Sequence, residues 1–126
     1  MVIDTSVIIA ILLDEPDAAE FAAAIEQDPL RLLSAANLLE ASIVIETRKG
    51  DEGARDLDLL IYRAGIQVVP VDAEQAEVAR LAWRRYGKGR HPASLNYGAC
   101  FAYALAKTSG SRLLFKGADF SQSDLA

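Results

Sequence analysis

Short apolar segments alternate with longer amphipathic segments along this chain, and that alternation limits the fold more than any other feature. The apolar segments end at Asp4, Leu33, Val69 and Phe115, and each stretch between them is long enough for one or more helices. Strands that alternate with helices pack as right-handed βαβ units, in which helices cover a parallel sheet. The sequence therefore predicts an α/β fold with a central parallel sheet that is covered on both faces.

Capping residues and glycines predict where several helices begin and end. Ser34 is expected to cap a helix that runs to Lys49 and stops at Gly50, with a separate helix following over residues 52–64. Asp72 begins a capping-box pattern, and Trp83 is expected on the buried face of the helix that follows. Ser94 is expected to cap the last helix.

Length and composition predict one globular domain over residues 1–126. The chain is 52% hydrophobic and 25% charged, without a low-complexity tract, and 126 residues are enough to bury a sizeable core. Its apolar runs are too short to span a membrane and lack the basic flank of a signal peptide, so a cytoplasmic location is expected. Cys100, the only cysteine, is expected to be a buried, inert thiol.

The net charge of −5 argues against a protein that holds nucleic acid through a broad basic surface. It does not exclude an enzyme that cuts nucleic acid. One local basic cluster, formed by Arg84, Arg85, Lys88 and Arg90, is a candidate guide for a phosphate backbone. The same cluster is equally typical of a solvated helix end whose charge complements the helix dipole.

Three carboxylates are candidates for chemistry. In α/β folds, sites gather at the carboxyl ends of the strands, and Asp4 and Asp119 each follow an apolar segment. Glu40 lies within ANLLEASIVI, where a buried charge needs a partner or a metal. Asp4 is also a good helix N-cap, Asp119 a good turn residue, and Glu40 a possible partner of a surface Arg. If the three converge, they suit a hard cation such as Mg²⁺ or Mn²⁺.

Other chemistries have weaker support in the sequence. No nucleotide-binding glycine motif or zinc pattern is present, and His91 stands in a loop without a partner that would make it a base. A receiver-like phosphoacceptor domain needs an acidic pair after its first strand, whereas VIDTS offers one acid.

Four stretches in order along the chain resemble the PIN-domain ribonucleases, in particular the VapC toxins of bacterial toxin–antitoxin pairs. They are MVIDTSVIIAILLDEP, SAANLLEASIVIE, GRHPASLNYGACFAYALAK and LLFKGADFSQSDL. The resemblance covers essentially the whole chain, and the order and spacing of the four motifs make it specific.

The resemblance implies a three-layer α/β/α sandwich, a homodimer, and cleavage of RNA phosphodiesters that depends on Mg²⁺ or Mn²⁺. It implies a VapB-type antitoxin that blocks the site and alone contacts operator DNA. Asp4, Glu40 and Asp119 match the family's metal-binding and catalytic acids. Thr5 or Ser6 matches the hydroxyl beside the first acid.

Ala99 departs from the family pattern, which has a further metal-binding Asp at the matching position. The departure predicts metal affinity and turnover well below those of the family, while the fold tolerates an alanine in a helix. The leading hypothesis is therefore a metal-dependent ribonuclease toxin that is weakened or inactivated at position 99. The alternative is a catalytically dead module that binds an antitoxin or RNA without cleaving it.

Overall fold

A parallel sheet of four short strands forms the centre of the molecule. The computed structural model describes residues 1–89, 91–117 and 120–125. The strand order is β3-β2-β1-β4, and every neighbouring pair is parallel. The strands are β1 (Val2–Ile3), β2 (Leu32–Ser34), β3 (Gln67–Val69) and β4 (Leu113–Leu114).

Helices connect the strands and cover the sheet, which confirms the predicted fold class. The described residues form α1 (Thr5–Leu12), α2 (Ala18–Gln27), α3 (Ala35–Arg63), α4 (Ala73–Tyr86), α5 (Tyr97–Ser109) and a 3₁₀ turn at Phe120–Gln122. None of the helices in this part of the chain is long and apolar enough to cross a membrane.

Different helices cover the two faces of the sheet. Successive strand residues point to opposite faces, so their core clusters show which helices lie on each face. Ile3 and Leu33 belong to a core cluster with residues of α1, α2 and α3. Val2 and Leu32, each one position earlier, cluster instead with Leu105 of α5. The sheet is thus the middle layer of three.

The strand order reverses at β1, and this reversal places the site. The chain runs outward from β1 through β2 to β3, and then returns to pair β4 with the other side of β1. The backbone N–H of Asp4 donates to the carbonyl of Leu114 at 3.0 Å, so the ends of β1 and β4 lie together. In parallel sheets, the crevice outside such a reversal is where ligands bind.

The predicted division of the third helix at Gly50 is confirmed. Helical residues run from 35 to 63, and Gly50 divides them into two helices at a kink with φ 58° and ψ −142°. A backbone in this region favours glycine. Gly50 therefore ends the first helix as expected, and the second helix follows directly.

Two other predictions about helices were wrong. Trp83 is 45% exposed, because the face of α4 that packs inward carries Gln75, Ala79 and Ala82. A polar residue occupies that face because the Gln75 side chain donates to the carbonyl of Pro70 at 3.1 Å. Ser94 does not cap α5; Asn96 does, and its Oδ1 accepts from the backbone N–H of Ala99 at 2.9 Å.

Candidate active site

Asp4 lies at the carboxyl end of β1 and is 8% exposed. It is the N-cap of α1, and its Oδ2 accepts from the backbone N–H of Ser6 at 3.0 Å and from the Ser6 hydroxyl at 2.6 Å. Burial raises the pKa of the Asp4 carboxyl, the bonds from Ser6 oppose the rise, and the charge of Glu40 adds to it. Capping and lining a site are therefore compatible roles for this residue.

Glu40 approaches Asp4 from α3. Its side chain is half-buried and lines the same cavity as Asp4. Since its charge raises the pKa of Asp4, the two carboxylates lie close enough to repel each other. Within the described residues, neither carboxylate forms a salt bridge with Lys or Arg. The surface pair with Arg that the sequence left open is thus absent from this part of the chain.

The two acids face a cavity of about 220 Å³, here called the acid-lined cavity. Ala99, on the first turn of α5, contributes a methyl group to its wall. The residues that line the cavity are Asp4, Thr5, Ser6, Glu40, Val44, Asn96, Ala99, Lys116 and Phe120.

Asp119, the third predicted acid, lies outside the described residues, as does Arg90 of the basic cluster. Phe120, the residue after Asp119, is buried and lines the cavity. Among the residues that the structure does describe, no group of three His, Cys, Asp or Glu side chains is assembled for a metal. The described part of the site is therefore a pair of acids.

The two candidate hydroxyls have different partners. Ser6 donates to Asp4, and its Oγ also accepts from the backbone N–H of Lys116 at 3.0 Å. The hydroxyl of Thr5 instead donates to the carbonyl of Asn37 at 3.4 Å, a long contact. Ser6 is thus the hydroxyl that holds the first acid, and it also ties that acid to the segment after β4.

Lys116 is the one cation on the described wall of the cavity, and acids outside the cavity bind it. Its ammonium group donates to Glu15 at 2.7 Å and to Asp17 at 3.2 Å. These two bonds raise the pKa of Lys116. The positive charge is therefore directed toward the segment between α1 and α2, and Lys116 forms no ion pair with Asp4 or Glu40 in the described structure.

Sequence reasoning missed two residues that position the site. Asn37 is fully buried on α3, and its amide donates to the carbonyl of Gly98 on α5 at 2.9 Å. Gly98 in turn lies against the carboxylate of Glu40. The only available signal was a polar residue in an otherwise apolar helix segment, one turn before Glu40.

His91 and Cys100 have structural environments, as expected. The Nδ1 of His91 accepts from the backbone N–H of Ala93 at 3.0 Å, and its ring packs edge-on against Tyr86. Cys100 is buried, and burial raises the pKa of its thiol, so the reactive thiolate is disfavoured.

A second, larger cavity of about 460 Å³ lies between α4 and α5 and is here called the apolar cavity. Asn96 lines both cavities, so they adjoin at the start of α5. Arg80 and Lys88 are its cationic residues, while Arg84 and Arg85 occupy the last turn of α4, where their charge complements the helix dipole. The lining residues are Ala76, Ala79, Arg80, Trp83, Lys88, Leu95, Asn96, Tyr97, Cys100 and Phe101.

The acid-lined cavity fits a divalent cation. Asp4 is buried with its pKa raised, and a second carboxylate repels it without a compensating Lys or Arg in the described region. Such an arrangement is costly for the protein alone and favourable once a cation is bound. Carboxylate oxygens are also the ligands that Mg²⁺ and Mn²⁺ prefer.

Known proteins resemble this chain in sequence and in fold. The PIN domain family matches residues 1–124. A crystal structure of Mycobacterium tuberculosis VapC20, described as a sarcin–ricin loop cleaving toxin, superimposes with a TM-score of 0.77 over 95% of this chain and 92% of that one. At 17% identity, this similarity concerns the fold.

Closer relatives lie among the VapC proteins. A ribonuclease VapC of Mycolicibacterium smegmatis is 60% identical over 126 residues, which cover all of this chain and 98% of that protein. Ribonuclease VapC30 of Mycobacterium tuberculosis is 58% identical over all of this chain and 96% of its own. The chain therefore belongs to the PIN-domain family, in its VapC branch.

Proposed function

We propose that this protein is the toxin of a toxin–antitoxin pair and an endoribonuclease that cleaves RNA phosphodiesters with Mg²⁺ or Mn²⁺. The observation that carries the proposal is the pair of acids, Asp4 and Glu40, that face one cavity at the strand reversal. The ribonuclease names of relatives at 58 and 60% identity support the same reaction. The receiver-like alternative has no support from these relatives.

The residues of this chain have distinct tasks in the proposed reaction. Asp4, Glu40 and Asp119 would hold the cation, and Ser6 orients Asp4 through two hydrogen bonds to Oδ2. A bound cation supplies positive charge that activates water and neutralises the phosphoryl oxygens. The burial of Asp4 excludes bulk water from one side of the site and strengthens these charge interactions.

Ala99 weakens this site in our proposal. It lines the acid-lined cavity and offers only a methyl group where the resembled family carries an acid. Without that ligand the cavity holds less negative charge, so a cation binds less tightly. We therefore expect cleavage well below the level of related toxins.

Restoring the acid tests the proposal. Ala99→Asp should gain RNA cleavage that needs Mg²⁺ or Mn²⁺ and stops with a chelator, measured on a panel of tRNA and rRNA fragments. The matched control combines Ala99→Asp with Asp4→Asn, which keeps the size of the cap residue and removes its charge. If Ala99→Asp cleaved no RNA and caused no growth arrest, the ribonuclease proposal would be wrong.

A second candidate is a catalytically dead module that binds an antitoxin or RNA. Ala99 favours it, because the change removes a charge from the cavity and leaves the helix intact. In that case the unmodified chain should bind an antitoxin or RNA while showing no cleavage at any cation concentration. Measurable cleavage by the unmodified chain would reject this candidate.

We further propose that the chain acts in the cytoplasm as a single domain, with a VapB-type antitoxin as its partner, and reaches operator DNA only through that antitoxin.

A homodimer is supported by an exposed apolar surface that we call the α3–α5 face, formed by Leu39, Ile43, Tyr97 and the half-buried Phe101. Exposed apolar patches of this kind mark interfaces. Ile43→Lys should convert a dimer to a monomer in light scattering, and an unchanged mass would place the interface elsewhere.

A further inference from the structure

Gly98 is the second residue of α5, where its lack of a side chain requires an explanation. Glycine is a poor helix residue, and the backbone of Gly98 is not in the left-handed region that favours glycine. Conformation therefore does not account for it. Space does, because a Cβ built on Gly98 would stand 2.5 Å from Cδ of Glu40 and closer still to both carboxylate oxygens.

The contact between Glu40 and Gly98 is held by a buried hydrogen bond. Asn37 lies one turn before Glu40 on α3, and its amide donates to the carbonyl of Gly98 at 2.9 Å. Asn37 is fully buried, and its Oδ1 has no hydrogen-bond partner within the described residues. Burying an amide with one atom unpaired costs free energy. The hydrogen bond from Asn37 to Gly98 offsets part of that cost and is specific to the contact between α3 and α5.

We propose that Gly98 is a positioning residue that directs the carboxylate of Glu40 into the acid-lined cavity. The bare Cα of Gly98 forms the seat on which the carboxylate lies, and Asn37 fixes that seat against α3. The role of the seated carboxylate as a metal ligand rests on the proposed function, whereas the seat itself does not.

The chemical nature of the crowded atoms predicts what a side chain at position 98 would do. The atoms in the way are the far end of a flexible glutamate, which can rotate about its side-chain bonds. Gly98→Ala should therefore leave the backbone in place and displace the carboxylate from the cavity. Most of the cost therefore falls on the site, while the crowding removes part of the stability that an alanine would otherwise add to the helix.

Gly53 provides the matched control because its surroundings are rigid. A Cβ there would meet Cγ2 of Ile45 at 2.6 Å, the carbonyl oxygen of Ile45 at 2.8 Å and Cβ of Lys49 at 2.8 Å. They are a backbone oxygen, a methyl group of a β-branched side chain and a Cβ whose position the backbone sets, so they have little freedom to move away. Gly53→Ala should therefore destabilise the fold and leave the site unaltered.

The first test needs no metal and uses thermal unfolding of the full chain. Gly98→Ala should raise the melting temperature by several degrees when Glu40 is also changed to Ala, since alanine favours a helix once the crowding is gone. In the presence of Glu40 the same substitution should raise it less or lower it. Equal shifts in both backgrounds would overturn the proposed seat.

The second test measures Mn²⁺ binding by calorimetry in the Ala99→Asp background. Adding Gly98→Ala should lower the affinity by about tenfold or more, as expected when a ligand loses its support. Adding Gly53→Ala should lower the melting temperature without this loss of affinity. Unchanged affinity with Gly98→Ala would overturn the positioning role.

The two tests separate failure of this inference from failure of the proposed function. If Ala99→Asp binds no Mn²⁺, the proposed function is wrong, and the unfolding comparison still decides whether Glu40 is seated on Gly98. If Ala99→Asp binds Mn²⁺ and Gly98→Ala does not change the affinity, the proposed function stands and the positioning role fails.

Discussion

The acid-lined cavity and the apolar cavity adjoin at the start of α5 and differ in almost every other respect. The apolar cavity has about twice the volume, at 460 Å³ against 220 Å³, and its wall includes Leu95, Cys100 and Phe101. The smaller cavity contains both described candidate acids. The size of a cavity alone therefore does not identify a site, because a reaction requires convergent charged groups.

The two cavities also differ in what they contribute to stability. Leu95 is fully buried in the core cluster beneath the apolar cavity, so its wall gains from the hydrophobic effect. In the acid-lined cavity, the burial of Asp4 opposes its charged form and Glu40 repels it. The apolar cavity thus lies on a stabilising core. The acid-lined cavity contains buried charge that destabilises the fold, and a bound ligand can offset that destabilisation.

The largest expected effect concerns the wall of the apolar cavity. Leu95→Ala should reduce the free energy of unfolding by about 2–5 kcal/mol, as for other fully buried leucines. Urea denaturation measures the change. Leu81→Ala is the matched control on α4, where the side chain is 49% exposed and the expected loss is below about 1 kcal/mol. Similar losses for both variants would contradict the assignment of Leu95 to the core.

The next largest effect distinguishes the cavities by their response to a new acid. Ala99→Asp should raise the affinity for Mn²⁺ by more than about 100-fold, since it adds a ligand beside the three acids that would hold the cation. Ala76→Asp places the same acid on the exposed edge of the apolar cavity and should leave the affinity unchanged. Calorimetric titration measures both. Equal affinities for the two variants would remove position 99 from the site.

A smaller effect should reveal the cost of Asp4. Asp4→Asn keeps an oxygen that can accept from Ser6 and removes the buried charge, so it should raise the free energy of unfolding at pH 7. The raised pKa means that the folded state of the unmodified protein binds the proton more tightly than the unfolded state.

The sign of the pH dependence follows from that difference. The unmodified protein should gain stability from this group as the pH falls through the raised pKa, and the gain is complete below the unfolded value near 3.8. The advantage of Asp4→Asn should therefore shrink on acidification. Unfolding curves from pH 7 to pH 4 measure the stability advantage of Asp4→Asn. An advantage that stayed constant over this range would show that burial does not raise the pKa of Asp4.

The smallest expected effect on stability concerns Asp124, an acid outside both cavities. Unlike Asp4, Asp124 is paired with a lysine. Burial opposes the charge of Asp124, but hydrogen bonds from Lys107 and Tyr103 prevail and lower its pKa. Asp124→Asn should cost a few tenths of a kcal/mol at pH 7, because the pair is partly exposed. The stability from Asp124 is present above pH 3.8 and is lost as the pH falls through its lowered pKa, opposite to Asp4. A pH dependence of the same sign for both acids would be inconsistent with this contrast.

Local sequence signals predicted much of the fold. Asp4, Ser34 and Asp72 cap helices as their residue types indicate, since a cap forms between residues two or three apart. The alternation of apolar runs with helical segments predicted the parallel sheet, because parallel neighbours need a helical crossover between them. The errors at Trp83 and Ser94 arose where packing against α5 and the loop before it overrode local preference.

The candidate site was predicted in part. Asp4 and Glu40 stood out by position and by an apolar neighbourhood, and both line one cavity. Asp119 stays a prediction, because it lies outside the described residues. Thr5 and Ser6 were indistinguishable in sequence, and only the packing of Lys116 and Asn37 assigned them different partners.

The sequence by itself determined the α/β class, the acids at and near the strand ends, and the alanine at position 99. Only the tertiary structure decided that Glu40 lies on Gly98, that Asn37 bonds to the same residue, and that acids outside the cavity bind Lys116. The physical reason is distance along the chain. Asn37 and Gly98 are 61 residues apart, and a contact of that kind exists only once the core has brought α3 and α5 together.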